Sequence, residues 1–431
     1  MADEVDPVRS PVTRAVRAGL VSDPQTGAVV PPLHLSTTYA FHGYGEKRTY
    51  DYSRTANPTR DLLATALADQ EGGAGAIITA SGMGAITLVG HLFKVGARIV
   101  APHDCYGGSH RLFSEWQRRG EFVVEFVDYG DESALRAALS RPAALVWIET
   151  PSNPLLRITD IATVAALAHG AGALVAVDNT FLSPAWQQPL RLGADLVVHS
   201  TTKYINGHSD VVGGAVIART QEHQQQLFDW ANNLGLSGSA FDSYLTLRGL
   251  RTLHARLAVH GRNAQSLAEW LVGQPAVSHV WYPGLPTHAG HALAARQQQG
   301  FGAIIAFELK GGVDAVKRFL GGLRCITLAE SLGGVETLVS HPVSMTHAAM
   351  DPDARRAAGL GDGLLRLSVG ILSAEFPQLR CLIVGEGRER DALEAEAAQL
   401  GLSRIVHFAG FRNDVADLRN DLAAGLARIG R

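Results

Sequence analysis

Three apolar runs constrain this chain more than any other feature: AALVWIETPSNP (143–154), ALVAVDNTF (173–181) and DLVVHSTTK (195–203). Each is short, rich in Val and Ile, and without the polar alternation of a half-exposed strand, which is the pattern of strands buried on both faces. ITDIATVAALAHGAG (158–172) separates the first two with helical spacing. Strand, helix and strand in that order predict a mostly parallel sheet covered on both faces. Each run also closes on polar groups: Asn153 past the first, Asp178 and Asn179 on the second, Ser200 to Lys203 on the third. In open α/β sheets ligands gather outside the carboxyl ends of the strands. An amide, a carboxylate and an amine are thus expected on one rim.

The remaining chain divides around this sheet. Residues 1–52 carry prolines, glycines and aromatics with no sustained period, and read as an arm that lies on a neighbouring subunit. RDLLATALADQEGG (60–73) reads as an amphipathic helix ended by glycines, and GAIITASGMGAITLVGHLF (75–93) as strand, turn and helix. Residues 53–250 form the expected large domain. Past a long helical stretch, LAVHGRNAQSLAEWLV (257–272), FGAIIAFEL (301–309) and LLRLSVGI (364–371) suggest a smaller α+β domain over 251–431.

Composition excludes several classes. The formal net charge is −3 with no long basic run, so a nucleic-acid partner is not expected. No apolar run approaches the length of a membrane span, and the acidic MADEVDPVRS has no apolar signal region. Three cysteines, Cys105, Cys325 and Cys381, form no CxxC pair and fit a reducing, cytoplasmic setting. No metal-ligand spacing stands out, and no metal is expected.

Chemistry enters through Lys203. A lysine supports Schiff-base work once kept partly unprotonated. The Ser200 and Thr202 hydroxyls suit a phosphate beside it, and ASGMGAI (80–86) offers backbone N–H groups of Gly82 and Met83 at a helix start. Asp178 suits a protonated ring nitrogen. Aldehyde, phosphate and pyridinium together describe pyridoxal 5'-phosphate. Singly, each feature has an ordinary explanation: a solvated lysine, a glycine turn, a capping aspartate, a loop serine at 331, an ion-paired Arg366. Their coexistence carries the reading.

Eight stretches carry a resemblance to a known family: YDYSRTANPTRD, APHDCYGGSHRLF, ETPSNPLLR, VDNTFLSP, HSTTKYINGHSDVVGG, FDSYLTLRGLRTL, ARQQQGFGAIIAFEL and LAESLGGVETLVSHP. In order, they resemble the Cys/Met-metabolism family of pyridoxal-phosphate enzymes. The resemblance implies the fold type I, aspartate aminotransferase-like α/β architecture. It implies that Lys203 carries the cofactor and shuttles protons, that Tyr106 stacks on its ring and that Asp178 meets its nitrogen. Gly82, Met83, Ser200 and Thr202 would hold the phosphate, joined by Tyr52 and Arg54 from a neighbouring subunit of a homotetramer built as a dimer of dimers. Asn153, Arg366, Arg111 and Glu330 would contact an amino-acid substrate, and Ser331 would steady Lys203. The implied reaction is γ-replacement, joining an O-acyl-L-homoserine (the succinyl ester first) to L-cysteine as cystathionine. Cystathionine γ-lyase and O-succinylhomoserine sulfhydrylase chemistry share most of these motifs. Gly108, where methionine γ-lyases carry cysteine, disfavours that activity.

After residue 371 the chain departs from this pattern. Residues 372–416 resemble a fragment of the nucleotide-sugar-binding half of GT-B glycosyltransferases: a strand at LRCLIVGEG, a helix at RERDALEAEAAQLGL and a strand at RIVHFAGF. One βαβ-like insert is too small for a complete transferase site. It is expected to pack poorly at the surface, and the alternative of an inactive chimera rests on it disturbing the pocket beside Arg366. A closing helix with Leu418, Leu422, Leu426 and Ile429 at helical spacing is expected after it.

Overall fold

The computed structural model describes residues 9–20, 23–348, 355, 358–371, 381–383, 406–408 and 423. Its centre is a seven-stranded sheet of β1 (Gly75–Thr79), β2 (Arg98–Pro102), β3 (Val123–Val127), β4 (Leu145–Glu149), β5 (Leu174–Asp178), β6 (Leu196–His199) and β7 (Gly214–Ala218). The spatial order is β1-β7-β6-β5-β4-β2-β3. All neighbours are parallel except β7, which runs antiparallel to both β1 and β6.

Strand β4 shows why its sequence does not alternate. Val146 and Ile148 pack in one apolar cluster with Val164, Ala168 and Leu267, while Leu145 and Trp147 pack in another with Leu88, Val89 and Phe113. Successive side chains point to opposite faces and both faces are covered, so the four positions before Glu149 are all apolar. Burying each such Leu or Ile contributes about 1.5–3 kcal/mol.

Helices fix the approach to the rim. The first, α1 (Pro11–Arg17), is capped by Ser10, whose hydroxyl accepts the Thr13 N–H, with proline at the first position. It corrects the reading of the N-terminal arm as wholly irregular. Next, α2 (Pro58–Glu71) starts on Asn57, whose side chain accepts the Thr59 and Arg60 N–H groups, and ends on Gly72 at φ 74°. The short α3 (Gly82–Gly90) follows β1 directly, and α4 (Gly107–Arg118) follows the turn after β2.

A second sheet holds β8 (Val277–Trp281), β9 (Ile304–Leu309), β10 (Thr327–Leu328), β11 (Leu338–Ser340) and β12 (Leu364–Ser368) in the order β10-β11-β12-β9-β8. Only β10 and β11 are parallel. This is the mostly parallel large sheet and smaller α+β unit that the sequence predicts. Past residue 371, β13 (Cys381–Ile383) and β14 (Val406–Phe408) form a parallel pair, as expected of the two strands read there. The helix read between them, and the closing helix except for Ala423, lie outside the described residues.

Candidate active site

The carboxyl ends of the central strands line up. Glu149 on β4 is the register neighbour of Asp178 on β5, which in turn neighbours Val198 on β6. Above this rim lies a cavity of about 280 Å³. Its lining includes Gly82, Met83, Tyr106, Asn153, Asp178 and Ser200, together with Thr202, Lys203, Glu330, Ser331 and Arg366. Eleven of the residues singled out from sequence are thus brought to one place.

Lys203 follows β6 by a single turn. Its Nζ donates to Ser331 Oγ at 2.8 Å. Burial, reinforced by the Arg366 guanidinium and opposed by Glu330, brings its amine down to about 8. A lysine in that range holds a usable fraction of free base near neutral pH, as carbonyl attack requires. Ser331 itself adopts φ 85°, a conformation that a non-glycine residue holds only under constraint.

Arg366 rises from the middle of β12 and is buried. One terminal nitrogen donates to Asn153 Oδ1 at 3.0 Å and the other to the Ser331 carbonyl at 2.9 Å. Burial lowers its guanidinium to about 10, against the pull of Tyr106, Tyr204 and Glu330, so it stays charged at neutral pH. The Asn153 carbonyl in turn accepts from His347 Nε2 at 3.2 Å. With no carboxylate salt-bridged to it among the described residues, this fork suits an incoming carboxylate.

Asp178 accepts the Thr180 N–H at 3.0 Å. Burial pushes its carboxyl up, while Thr180 and the charge of His199 hold it down. Thr180 Oγ1 also accepts the Ser200 N–H at 2.9 Å, which ties the Ser200 turn to the Asp178 strand. Thr202 Oγ1 accepts the Gly213 N–H at 3.0 Å.

The residues fit pyridoxal phosphate on structural grounds. The N-terminus of α3 is capped by Ser81 through the Gly84 N–H, at 3.0 Å. The Gly82 and Met83 N–H groups remain at the helix start, facing the Ser200 turn across the cavity. A Cβ on Gly82 would lie 2.8 Å from Ser200 Cβ, so glycine keeps this cradle open for an anion. Asp178, partly buried on the rim, forms no ion pair among the described residues, which leaves its carboxylate for a protonated ring nitrogen.

Three expected residues are not brought to the cavity. Arg111 is exposed on α4, near enough to the Tyr106 hydroxyl to oppose the upward push of burial on it. Tyr52 is half exposed, and Arg54 lies 5.8 Å above its ring while its Nη1 donates to the Asn232 carbonyl at 2.8 Å. Conversely, Glu149, Thr180 and Thr346 line the cavity without having been singled out. Glu149 ends an apolar strand but is followed at once by Thr150 and Pro151, so the sequence alone reads it as the start of a turn.

Residues 12–375 match the family model described as Cys/Met metabolism PLP-dependent enzyme. The chain therefore belongs to this family of pyridoxal-phosphate enzymes, and its cofactor is pyridoxal 5'-phosphate. Within it, the chain is 58% identical over 368 residues to the cystathionine gamma-synthase of Escherichia coli (strain K12), covering 85% of this chain and 95% of that one. It is 44% identical to the cystathionine beta-lyase of Coxiella burnetii, over 83% of this chain and 93% of the other. Among solved structures, the cystathionine gamma synthase of Xanthomonas oryzae pv. oryzae, in complex with aminoacrylate and cysteine, superposes with a TM-score of 0.87 at 54% identity, covering 98% of this chain and 99% of that one. The family match ends at 375, close to the departure read at 372.

Proposed function

We propose that the chain catalyses γ-replacement, joining an O-acyl-L-homoserine, with the succinyl ester as first candidate, to L-cysteine to give cystathionine. The observation that carries this reading is one cavity in which a depressed lysine, a buried carboxylate and an arginine fork converge. The similarity to cystathionine gamma-synthases supports the choice of reaction.

When bound, the cofactor supplies an electron sink for carbanion chemistry. The protein does the rest. Arg366, steadied by Asn153, grips the substrate α-carboxylate. Lys203 Nζ takes a proton from the α-carbon and later one from the β-carbon, and the acyl group leaves the γ-carbon as a carboxylate. The cysteine thiolate then bonds to that γ-carbon, and Lys203 Nζ returns one proton to the β-carbon and one to the α-carbon to complete the product. Ser331 holds Nζ between these transfers, and Tyr106 and Asp178 fix the cofactor ring. Gly82, Met83, Ser200 and Thr202 take its phosphate. Glu330 lines the substrate side, and Arg111, exposed on α4 outside the cavity lining, is the residue we assign to a distal succinyl carboxylate.

Tyr52 and Arg54 complete the site of a neighbouring subunit in a homotetramer, which accounts for their position outside their own cavity. We divide the chain into 1–52, 53–250 and 251–431, with an insert at 372–416; a seven-stranded sheet within the second segment and a five-stranded one within the third support that reading. A cytoplasmic setting fits the small amino-acid substrates; among the described residues no helix is long and apolar enough to cross a membrane. Supplying O-succinyl-L-homoserine with cysteine, with sulfide or with no thiol and identifying the products tests the reading. Cystathionine as the main product with cysteine supports it. Dominant 2-oxobutanoate or homocysteine would assign lyase or sulfhydrylase chemistry instead.

A further inference from the structure

Glu149 is the one carboxylate of the rim that this mechanism does not use. It ends β4 beside Asp178, its register neighbour, and both line the cavity. Only 6% of it is exposed, and its Oε2 accepts the Tyr106 N–H at 2.8 Å. Adjacent strands lie ~4.8 Å apart, so the two carboxyl groups are close neighbours, Glu149 buried and Asp178 partly so.

The groups next to Glu149 are Asp178 on β5, Asp104 and Cys105 in the turn after β2, and Tyr106 at the start of α4, while the cations Lys203 and Arg366 line the same cavity. Among the described residues no lysine, arginine or histidine forms an ion pair with either Glu149 or Asp178. Two buried carboxylates in that setting do not both ionise. Hydrogen-bond donors decide which keeps the proton. Asp178 receives both the N–H and the hydroxyl of Thr180, with His199 nearby, whereas Glu149 receives a single N–H. Burial first, then the charges of Asp178 and Asp104, push the Glu149 carboxyl far up.

We propose that Glu149 is a positioning residue of this site, a neutral acid that fixes the Tyr106 backbone and leaves Asp178 as the single negative charge on the rim. The part concerning Asp178 and the cofactor ring rests on the function proposed above. The part concerning the proton does not. A group neutral in the fold but ionised in the unfolded chain above about pH 4.3 makes the folded state bind more protons, so stability falls as pH rises from there. Glu149→Gln removes that dependence while keeping an acceptor for the Tyr106 N–H.

The test compares wild type, Glu149→Gln and Glu149→Ala, each as apoprotein and loaded with pyridoxal phosphate. In the apoproteins, the melting temperature of Glu149→Gln is expected to gain on wild type steadily from pH 5 to pH 8. In the loaded enzymes, Glu149→Gln should keep the visible cofactor band, the wild-type pH profile and kcat/KM within about threefold, while Glu149→Ala loses at least tenfold in cofactor affinity. A melting gap independent of pH, a shifted pH profile in Glu149→Gln, or a wild-type-like Glu149→Ala would overturn the proposal. Should Glu149→Gln fail to fold, infrared spectroscopy of wild-type apoprotein at pH 8 decides. A neutral-carboxyl stretch supports the proposal and its absence overturns it. Failure of the wild type itself to take up cofactor would count against the proposed function, and leaves the apoprotein melting comparison standing.

Discussion

Lys203 and Arg366 end on the same residue: the amine donates to the Ser331 hydroxyl at 2.8 Å and the guanidinium to the Ser331 carbonyl at 2.9 Å. The residues proposed as proton carrier and carboxylate grip are therefore braced against one residue. Removing the hydroxyl leaves Lys203 without its anchor. A hydrogen bond to a charged group contributes about 1.5–3 kcal/mol, so Ser331→Ala should lower kcat by about tenfold to a hundredfold with the cofactor band intact. Because Ser331 sits at φ 85°, Ser331→Gly should lose the same activity yet melt higher than Ser331→Ala. Equal kcat in wild type and both variants would remove Ser331 from the site.

The Lys203 amine titrates near 8 because it is buried. Its free-base fraction rises with pH, from roughly a tenth at pH 7 to roughly nine-tenths at pH 9. Capture of pyridoxal phosphate by apoprotein, followed by stopped-flow absorbance, should therefore accelerate about tenfold over that interval and then level off. A rate that keeps climbing beyond pH 9 would mark an ordinary solvated lysine. Lys203→Ala should show no borohydride-fixed cofactor and no turnover.

Gly82 faces Ser200 across the phosphate cradle, and a Cβ there would approach Ser200 Cβ to 2.8 Å. Gly82→Ala should weaken cofactor binding by at least tenfold, about 1.4 kcal/mol, measured by equilibrium dialysis of pyridoxal phosphate. Unchanged affinity would show that the anion is seated elsewhere.

Arg366→Lys keeps a positive charge but loses the planar fork that meets Asn153 and Ser331 together. The expected result is a fall in kcat/KM of about a hundredfold, mainly in KM, with an unaltered cofactor spectrum. A purely structural role would instead lower the melting temperature and spare KM.

Tyr52 and Arg54 allow a test by mixing. Arg54→Ala and Lys203→Ala should each be nearly inactive alone. After co-refolding, half the dimers pair one chain of each kind, and one of the two sites in each is intact. About a quarter of wild-type activity should return. No recovery would mean that the subunits do not share sites.

Much of the site was legible because chemistry in this fold sits where apolar runs stop. Asp178 and Lys203 interrupt sequences that otherwise read as buried strand, and that contrast is visible without coordinates. Glu149 sits on the same rim but is followed at once by Thr150 and Pro151, so it reads as the start of a turn; only the register with Asp178 exposes it. Strand β7 was hidden by Gly213 and Gly214. A Cβ on Gly214 would lie 2.2 Å from the Ser81 carbonyl oxygen, so close packing set that residue rather than strand propensity. The short α1 was announced only by Ser10 and Pro11. Arg111 matches its motif yet lies outside the cavity lining, because a motif does not say which way a helix turns a side chain. The insert was feared to disturb Arg366, yet that residue keeps both its bonds within the described chain.

The residues proposed to face the cofactor lie on or beside the first sheet, which β7 completes at Ala218, whereas Arg366 stands on the third strand of the second sheet, with β11 and β9 on either side. A chain emerging from the ribosome thus acquires its place for the vitamin long before its hold on the amino acid. A chain cut between β7 and β12 would carry the residues proposed for the cofactor and lack the arginine proposed for the substrate.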